Sequence, residues 1–352
     1  MAIALITGSS GLIGSESVRF FHEKGFDIVG IDNNMRQYFF GKDGSTIWVR
    51  ESVEKECRRY THFEADIRNF ESISQIFSKY RDDIKVVIHT AAQPSHDWSA
   101  QEPLTDFHVN AVGTINVLES VRLNTPDVPV IFTSTNKVYG DKPNTFPLVE
   151  LEKRYEIEPD HPYFEHGFDE MLSIDQNKHS IFGASKVAAD VMAQEYARHY
   201  GLKIGVFRGG CLTGPGHSSV ELHGFLSYLA KCAVSGKNYT IYGYKGKQVR
   251  DNIHSYDLVN AFWHFYNCPK PDVYNIGGGR YCNCSVLEAM DVIRGITGKE
   301  VLNTYTETNR IGDPIWLIGD IRRFRNAYPN WDFKYDLKAI LSDLVDSFKG
   351  RH

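Results

Sequence analysis

The sequence predicts an α/β protein built on a doubly wound parallel sheet, followed by a smaller mixed subdomain. Short apolar or β-branched runs alternate with helical patterns through the first 210 residues, and this order is typical of parallel strands joined by crossover helices. From about Gly214 onwards the alternation loosens into loops rich in His, Gly and Tyr. A chain of 352 residues is long enough for a well-buried core and a second lobe.

The individual elements follow from the local patterns. Apolar and β-branched residues dominate five predicted strands: Ala2–Thr7, Asp27–Ile31, Thr61–Ala65, Val86–Thr90 and Val128–Thr133. Helical periodicity between them predicts three helices: Ser15–Lys24, Phe70–Lys79 and Gly113–Asn124. A further helix over Ser185–Tyr200 and a strand over Lys203–Phe207 bring the predicted sheet to about six strands.

A glycine-rich turn joins the first predicted strand to the first predicted helix. Gly8, Gly11 and Gly14 are spaced Gly-x-x-Gly-x-x-Gly, and such a turn directs backbone N–H groups and a helix N-terminus at a pyrophosphate. Gly14 would let the helix pack closely on the strand. Because the motif stands between a strand and a helix, it predicts a Rossmann-like dinucleotide site.

An acidic residue ends the second predicted strand. Asp32 follows the glycine turn by about 20 residues, where a carboxylate can accept hydrogen bonds from both ribose hydroxyls and would repel a 2′-phosphate. This favours NAD over NADP as the cofactor. Arg36 supports the alternative, since a nearby arginine can accommodate a 2′-phosphate.

The two parts of the chain are expected to have different roles. We predict that residues 1–210 form the NAD-binding domain and residues 211–352 the substrate-binding subdomain, with some later segments returning to the first domain. No repeat, low-complexity stretch or proline-rich linker interrupts the sequence, so one compact body is expected.

The charge balance makes a small molecule the expected partner. The chain has 39 basic and 44 acidic residues and a formal net charge of -5, without the basic excess typical of nucleic-acid binding. It lacks a recognisable signal peptide and any apolar run near the ~20 residues that span a bilayer, so we expect a cytoplasmic protein without membrane contact. Six cysteines without zinc-site spacing predict reduced thiols and no metal.

Several motifs together resemble the extended short-chain dehydrogenase/reductases. They are the glycine turn, Asp66-Ile67-Arg68 after the third strand, Ala91-Ala92 after the fourth, and Asn110 in the next helix. The segment Thr133–Gly140 (Thr-Ser-Thr-Asn-Lys-Val-Tyr-Gly) resembles the NDP-sugar epimerase branch, especially the CDP-paratose (CDP-tyvelose) 2-epimerases. The likeness covers nearly the whole chain and implies an NAD-dependent epimerase that oxidises a sugar carbon to a ketone and reduces it again from the other face.

The resemblance and the motifs imply roles for individual residues. The predicted cofactor contacts are Gly8, Ser10, Gly11, Leu12, Ile13, Gly14, Asp32, Asn33, Asp66, Ile67, Ala91, Ala92, Gln93, Asn110, Thr133, Lys186 and Arg208. The predicted contacts of the nucleotide-diphosphate sugar are Gln93, Thr135, Asn136, Cys211, His223, Arg250 and Arg310. Arg250 and Arg310 would hold the diphosphate, because a guanidinium fork suits phosphate oxygens. Three segments resemble the branch's substrate side: Gly167–Glu170, Gly246–Asp251 and Tyr274–Gly278.

The sequence departs from the family at one catalytic position. Thr135 and Lys186 match the family's catalytic residues, but Phe182 stands where its Tyr-x-x-x-Lys pair has the proton-exchanging tyrosine. Loss of general acid–base help typically slows a reaction by ~10²–10⁴-fold. Three explanations stay open: another residue supplies the base, the protein binds without catalysing, or the phenylalanine was introduced to trap a complex.

The candidates for a substitute base lie on segments expected to border the site. They are Tyr139, Tyr163, His179, Cys211 and the pair His96-Asp97. Structural roles compete with this interpretation: a packed ring for Tyr139, a helix cap for His179 and a buried thiol for Cys211.

The same motifs are compatible with other functions, and two parts of the chain suggest a lid or an assembly. A 4-epimerase or dehydratase could share the scaffold, although dehydratases usually add acidic residues after the catalytic threonine, where this chain has Asn136-Lys137. The long connection Arg36–Arg58, which mixes aromatic and basic residues, predicts a lid over the sugar or an oligomer contact. The resemblance implies a homodimer, or a dimer of dimers, paired through Gly113–Asn124 and Ser185–Tyr200.

Overall fold

The computed structural model describes residues 2–221, 223–309 and 312–350. Its strands, numbered along the chain, are β1 (Ile3–Thr7), β2 (Asp27–Ile31), β3 (Tyr60–Phe63), β4 (Ile84–His89), β5 (Val130–Thr135), β6 (Leu148–Glu150), β7 (Tyr155–Ile157), β8 (Ile204–Gly209), β9 (Cys211–Thr213), β10 (Tyr239–Tyr242), β11 (Val249–His254), β12 (Asp272–Ile276), β13 (Asn283–Ser285), β14 (Asn303–Thr306) and β15 (Trp316–Leu317).

The α-helices, numbered in the same way, connect and cover these strands. They are α1 (Leu12–Glu23), α2 (Met35–Phe40), α3 (Ile47–Glu56), α4 (Phe70–Tyr80), α5 (His96–Gln101), α6 (Pro103–Phe107), α7 (Gly113–Asn124), α8 (Ser180–Tyr200), α9 (Phe225–Ser235), α10 (Ser255–Asn267), α11 (Val286–Thr297), α12 (Arg322–Ala327) and α13 (Leu337–Lys349). A π-helical turn, His108–Val112, joins α6 to α7.

A seven-stranded parallel sheet lies at the centre, in the order β3-β2-β1-β4-β5-β8-β12. Its strands are apolar because helices cover both faces. Phe21 and Phe262 lie in the core cluster that α1 and α10 form on one face, and Val117 and Ala189 lie in the cluster that α7 and α8 form on the other. The predicted doubly wound α/β fold is confirmed.

The smaller lobe is mixed, as predicted. Its β11 pairs with β9 and β15 in parallel and with β13 in antiparallel orientation. Helices α9, α11 and α13 cover this part with a cluster that includes Leu229, Ala289 and Leu344. The pair β10–β14 and the hairpin β6–β7 complete the sheets.

The observed elements differ from the predicted ones in two places that matter for the site. The segment Tyr274–Gly278 was expected on the substrate side, but Tyr274–Ile276 belongs to β12, which adds a seventh strand beside β8. Helix α8 begins at Ser180, so Phe182 lies in its first turn. No helix in the described parts of the chain is long and apolar enough to cross a membrane.

Candidate active site

A cavity of about 440 Å³ opens at the carboxyl edge of the large sheet. Strand ends of β1, β2, β4 and β5 form one wall, and β10 and β11 of the smaller lobe form the other. A cavity of this size is typical of small-molecule sites, and the carboxyl edge is where open parallel sheets bind ligands.

The glycine turn shapes the floor of this cavity. Gly8 has a φ of 70°, and a Cβ there would lie 2.7 Å from the backbone nitrogen of Ala91. A Cβ on Gly14 would overlap the carbonyl oxygen of Gly8, so the helix can approach the turn only with glycine at this position. Helix α1 has no side-chain cap, which leaves its N-terminus suited to a pyrophosphate.

Asp32 lies at the adenosine side of this turn. Its carboxylate accepts hydrogen bonds from the backbone N–H groups of Ser10 (3.1 Å) and Asn34 (2.8 Å). Burial raises the pKa of Asp32, against the effect of those two hydrogen bonds. The carboxylate lines the cavity, and its remaining acceptor sites fit ribose hydroxyls. The uncapped helix and this carboxylate together fit NAD.

The connection Arg36–Arg58 reaches across the cavity to the smaller lobe. Arg36 Nη2 donates to the carbonyl oxygen of Ser218 (2.8 Å), and Trp48 Nε1 donates to Ser218 Oγ (2.9 Å). Burial lowers the pKa of Arg36 to about 10. The Arg36 guanidinium lies against the lobe and the Phe40 ring (4.6 Å). The lid over the sugar and the oligomer contact both stay predictions.

Most of the predicted cofactor residues line the cavity. These are Gly8, Gly11, Leu12, Ile13, Asp32, Asn33, Asp66, Ile67, Ala91, Ala92, Thr133 and Lys186. Two further predicted residues lie behind the cavity wall. The backbone N–H of Ser10 donates to Asp32, and Gly14 packs on the glycine turn.

Three other predicted residues have side chains that are engaged within the protein and are not part of the cavity wall. Gln93 Nε2 donates to Asp106 (2.7 Å). Asn110 Nδ2 donates to Ser185 Oγ (3.0 Å) and thereby joins the segment before α7 to α8. Arg208 forms a buried ion pair with Asp190 (2.8 Å).

The three predicted catalytic positions meet at the cavity. Thr135 ends β5, and its Oγ1 accepts from the backbone N–H of Lys137 (3.2 Å). Lys186 Nζ donates to the carbonyl oxygen of Thr133 (3.0 Å), and burial lowers the pKa of this lysine to about 8. The ring of Phe182 lines the same wall.

The candidates for a substitute base separate into two groups. Three of them do not line the cavity. Tyr139 donates to Asn275 Oδ1 (2.7 Å), and Tyr163 packs on Phe146. A ring nitrogen of His179 forms a hydrogen bond with the Ile174 carbonyl oxygen (2.7 Å). By contrast, Cys211 and His96 do line it, whereas Asp97 does not. Burial raises the pKa of the Cys211 thiol to about 11.

The substrate side of the cavity includes five of the predicted residues. These are Thr135, Asn136, Cys211, His223 and Arg250, whereas Arg310 lies outside the described residues. Arg250 Nη2 is 3.4 Å from Asp313 Oδ1. Sequence reasoning missed Asp313, Lys137 and the aromatic side chains Tyr228, Tyr239 and Tyr242 that also line the cavity. The tyrosine-rich run around residues 239–244 was the available signal.

Comparison with known proteins identifies the family. The NAD dependent epimerase/dehydratase family matches residues 4–277. The chain belongs to this family. It is 31% identical over 350 residues to the CDP-paratose 2-epimerase of Salmonella typhi, across 97% of this chain and 98% of that protein.

Two solved members of the NAD dependent epimerase/dehydratase fold extend the comparison. The UDP-glucose 4-epimerase of Thermus thermophilus, in complex with NAD, has a TM-score of 0.78 and 25% identity, with 99% of each chain covered. That of Thermotoga maritima, with UDP-glucose, has a TM-score of 0.76 and 27% identity, also with 99% of each chain covered. These comparisons confirm NAD as the cofactor and the predicted class, an NAD-dependent nucleotide-sugar epimerase.

Proposed function

We propose that this enzyme inverts C2 of a CDP-linked sugar. One observation carries the proposal: a single cavity joins the NAD groove, the Thr135–Lys186 pair and Arg250. The likeness to the CDP-paratose 2-epimerase of Salmonella typhi supports the choice of nucleotide and carbon. The subdomain from residue 211 onwards supplies the substrate wall in this proposal.

The residues of the cavity divide the work of binding and orientation. The glycine turn and Asp32 would hold NAD, which would supply a reversible hydride acceptor for the sugar carbon. Lys186, held at the Thr133 carbonyl, would bind the nicotinamide ribose, and Thr135 would orient the reacting hydroxyl. Arg250 would hold the diphosphate, because its guanidinium reaches the cavity and can form two parallel hydrogen bonds with phosphate oxygens.

The test is product analysis by NMR, with NAD and a panel of CDP-, UDP-, GDP- and dTDP-sugars. The C2 epimer of CDP-paratose is the expected product, with transient fluorescence of enzyme-bound NADH. No isomerised product from any sugar would refute the proposal. A sugar inverted at C4, or a dehydrated sugar, would instead identify the enzyme as a 4-epimerase or a dehydratase.

A binding protein without catalysis is the second candidate, and Phe182 favours it. This candidate predicts NAD binding without any NADH signal on addition of a sugar nucleotide. Epimer from the Phe182→Tyr variant alone would support it, whereas epimer from the unaltered chain would exclude it.

We propose that the enzyme is a homodimer paired through α7 and α8. Apolar side chains are exposed on or beside these helices: Leu104, Phe107, Leu123, Val191 and Tyr200. A contiguous exposed apolar patch is typical of protein interfaces, and this proposal requires these side chains to form one.

We also propose a cytoplasmic location. All six cysteines are free thiols, a state that the reducing cytoplasm maintains. Cell fractionation with an antibody to the chain would test this, and recovery in a membrane or extracellular fraction would refute it.

A further inference from the structure

The ring of Phe182, at the position of the family's tyrosine, contacts a histidine. The centroids of Phe182 and His96 are 4.9 Å apart, with the rings at 72° to each other. Both side chains line the cavity. We infer that His96 is the general acid–base of this enzyme and takes over the proton exchange that the phenylalanine cannot perform. This inference rests on the proposed function.

Two hydrogen bonds hold α5 against the start of α8 and thereby fix the imidazole. His96 Nδ1 lies 2.7 Å from Ser180 Oγ, and the backbone N–H of Phe182 donates to Ser99 Oγ (3.2 Å). Nδ1 is therefore the orienting nitrogen, and Nε2 is the nitrogen assigned to substrate. For Nε2 to accept a proton, Nδ1 must carry the ring hydrogen and donate it to Ser180 Oγ, because the hydrogen bond of one nitrogen sets the protonation of the other.

Backbone strain at Ser180 is a second observation. Ser180 has a φ of 59°, a left-handed conformation that costs a non-glycine residue of order 1 kcal/mol and persists where the surroundings impose it. This conformation occurs at the residue whose hydroxyl contacts His96 and accepts from the Gly183 N–H (3.2 Å). The strain thus coincides with the contact that orients the imidazole.

Other titratable groups at the cavity suit the task less well. The charged side chains in the described lining of the cavity are Asp32, Arg36, Asp66, Lys137, Lys186, Glu221, Arg250 and Asp313. Lys186 Nζ is engaged with the Thr133 carbonyl, and Lys137 Nζ lies 3.4 Å from the Gly312 carbonyl. Burial raises the pKa of Cys211 to about 11, so its thiolate is scarce near neutral pH.

The proposed step balances atoms and electrons. The sugar O–H bond breaks, its proton goes to Nε2, and its electron pair becomes the second bond of the C=O group. The hydrogen on the same carbon leaves with its electron pair as hydride to NAD. In the return step the hydride adds to the other face and Nε2 gives the proton back, so the imidazole ends the cycle as it began.

The test compares four proteins: the unaltered chain, His96→Gln, His96→Gln with Phe182→Tyr, and His179→Gln. His179 is the matched control, because it also lies at the start of α8 but outside the cavity. We expect His96→Gln to lower the rate of CDP-paratose epimerisation by ~10²–10⁴-fold without changing the Kd of NAD. Adding Phe182→Tyr to His96→Gln should raise the epimerisation rate at least about tenfold, since the phenol restores a proton carrier.

Two readouts separate this role from a structural one. The His96 imidazole resonance, identified by its absence from His96→Gln, should shift when CDP-paratose binds. The acid limb of the kcat/KM profile should be lost in His96→Gln, whereas a limb near pH 8, the lowered pKa of Lys186, that persists in this variant would indicate Lys186. A His96→Gln rate within threefold of the control, a weakened NAD affinity, or no rescue by tyrosine would overturn the inference. Absence of epimerisation by the unaltered chain would instead refute the proposed function.

Discussion

At the scale of single residues, Asp251 shows how a buried carboxyl group organises the backbone behind the cavity. It accepts hydrogen bonds from the backbone N–H groups of Gly319 (3.2 Å) and Gly279 (3.4 Å). A Cβ on Gly210 or Gly277 would overlap its carboxylate, so these loops can close around Asp251 only with glycine. Burial, partly opposed by the hydrogen bonds, raises the pKa of Asp251 to about 7.

This raised pKa predicts a pH-dependent stability. Between pH 3.8, the ordinary pKa, and about 7, the folded protein retains a proton that the unfolded chain releases, so the contribution of Asp251 to stability falls as pH rises. Asp251→Asn lacks this dependence. The stability of this variant relative to the unaltered chain should therefore rise with pH in that interval, by at most about 1.4 kcal/mol per pH unit. Urea unfolding across this range would measure it, with exposed Asp346→Asn as the control; parallel curves for all three proteins would contradict it.

Sequence reasoning reached the residues whose position depends on a local motif. Gly8, Asp32 and Lys186 each follow a fixed spacing from a strand or helix, and each lines the cavity. Gln93 and Arg208, by contrast, are bound inside the protein by Asp106 and Asp190, so their predicted ligand contacts stay predictions. A polar side chain near a site turns towards whichever partner lies closest, and the sequence does not show that partner.

At the scale of elements, α1 depends on a close approach to the turn that precedes it. The Gly14→Ala variant would bring a Cβ into the Gly8 carbonyl oxygen, and relief of such an overlap typically costs about 1–3 kcal/mol. The shift would also move the α1 N-terminus and weaken NAD binding. Thermal unfolding and NAD titration would measure both effects.

The matched control is a glycine substitution in another helix, at a position with open space around it. Gly295 lies in α11, and a Cβ there meets no atom within 4 Å. Gly295→Ala should therefore stabilise the protein by about 0.5–1 kcal/mol and leave NAD affinity unchanged. Equal effects of the two substitutions would show that the approach of α1 to the turn is unimportant.

The elements that sequence reasoning missed are those set by distant parts of the chain. Strand β12 is a five-residue run, and its place in the large sheet depends on its register with β8, in which Val273 is opposite Val206. Helix α8 begins at Ser180 in a left-handed conformation that no local propensity predicts. Periodicity therefore located helices α1, α4, α7 and α8 and strands β1 to β5 and β8, whereas β12, at one edge of the sheet, required three-dimensional packing.

At the scale of the whole molecule, the proposed dimer would stiffen the helix that carries the catalytic positions. Phe182 and Lys186 are buried on α8, whereas Val191 and Tyr200 of the same helix are 38% and 50% exposed. A partner that covers the exposed side would hold the helix from both sides. Dimerisation would then add a contribution to stability that grows with the logarithm of protein concentration.

This arrangement predicts the solution mass. Light scattering at micromolar concentration should give twice the chain mass of 40.1 kDa, and Val191→Arg combined with Leu123→Arg should give the mass of one chain, because two charges cannot be buried there without partners. Leu302→Arg, at a 59% exposed position of the smaller lobe, is the control and should remain dimeric. The dissociated variant should also have a thermal midpoint that no longer rises with concentration. A single-chain mass for the unaltered protein would show that these apolar side chains face solvent.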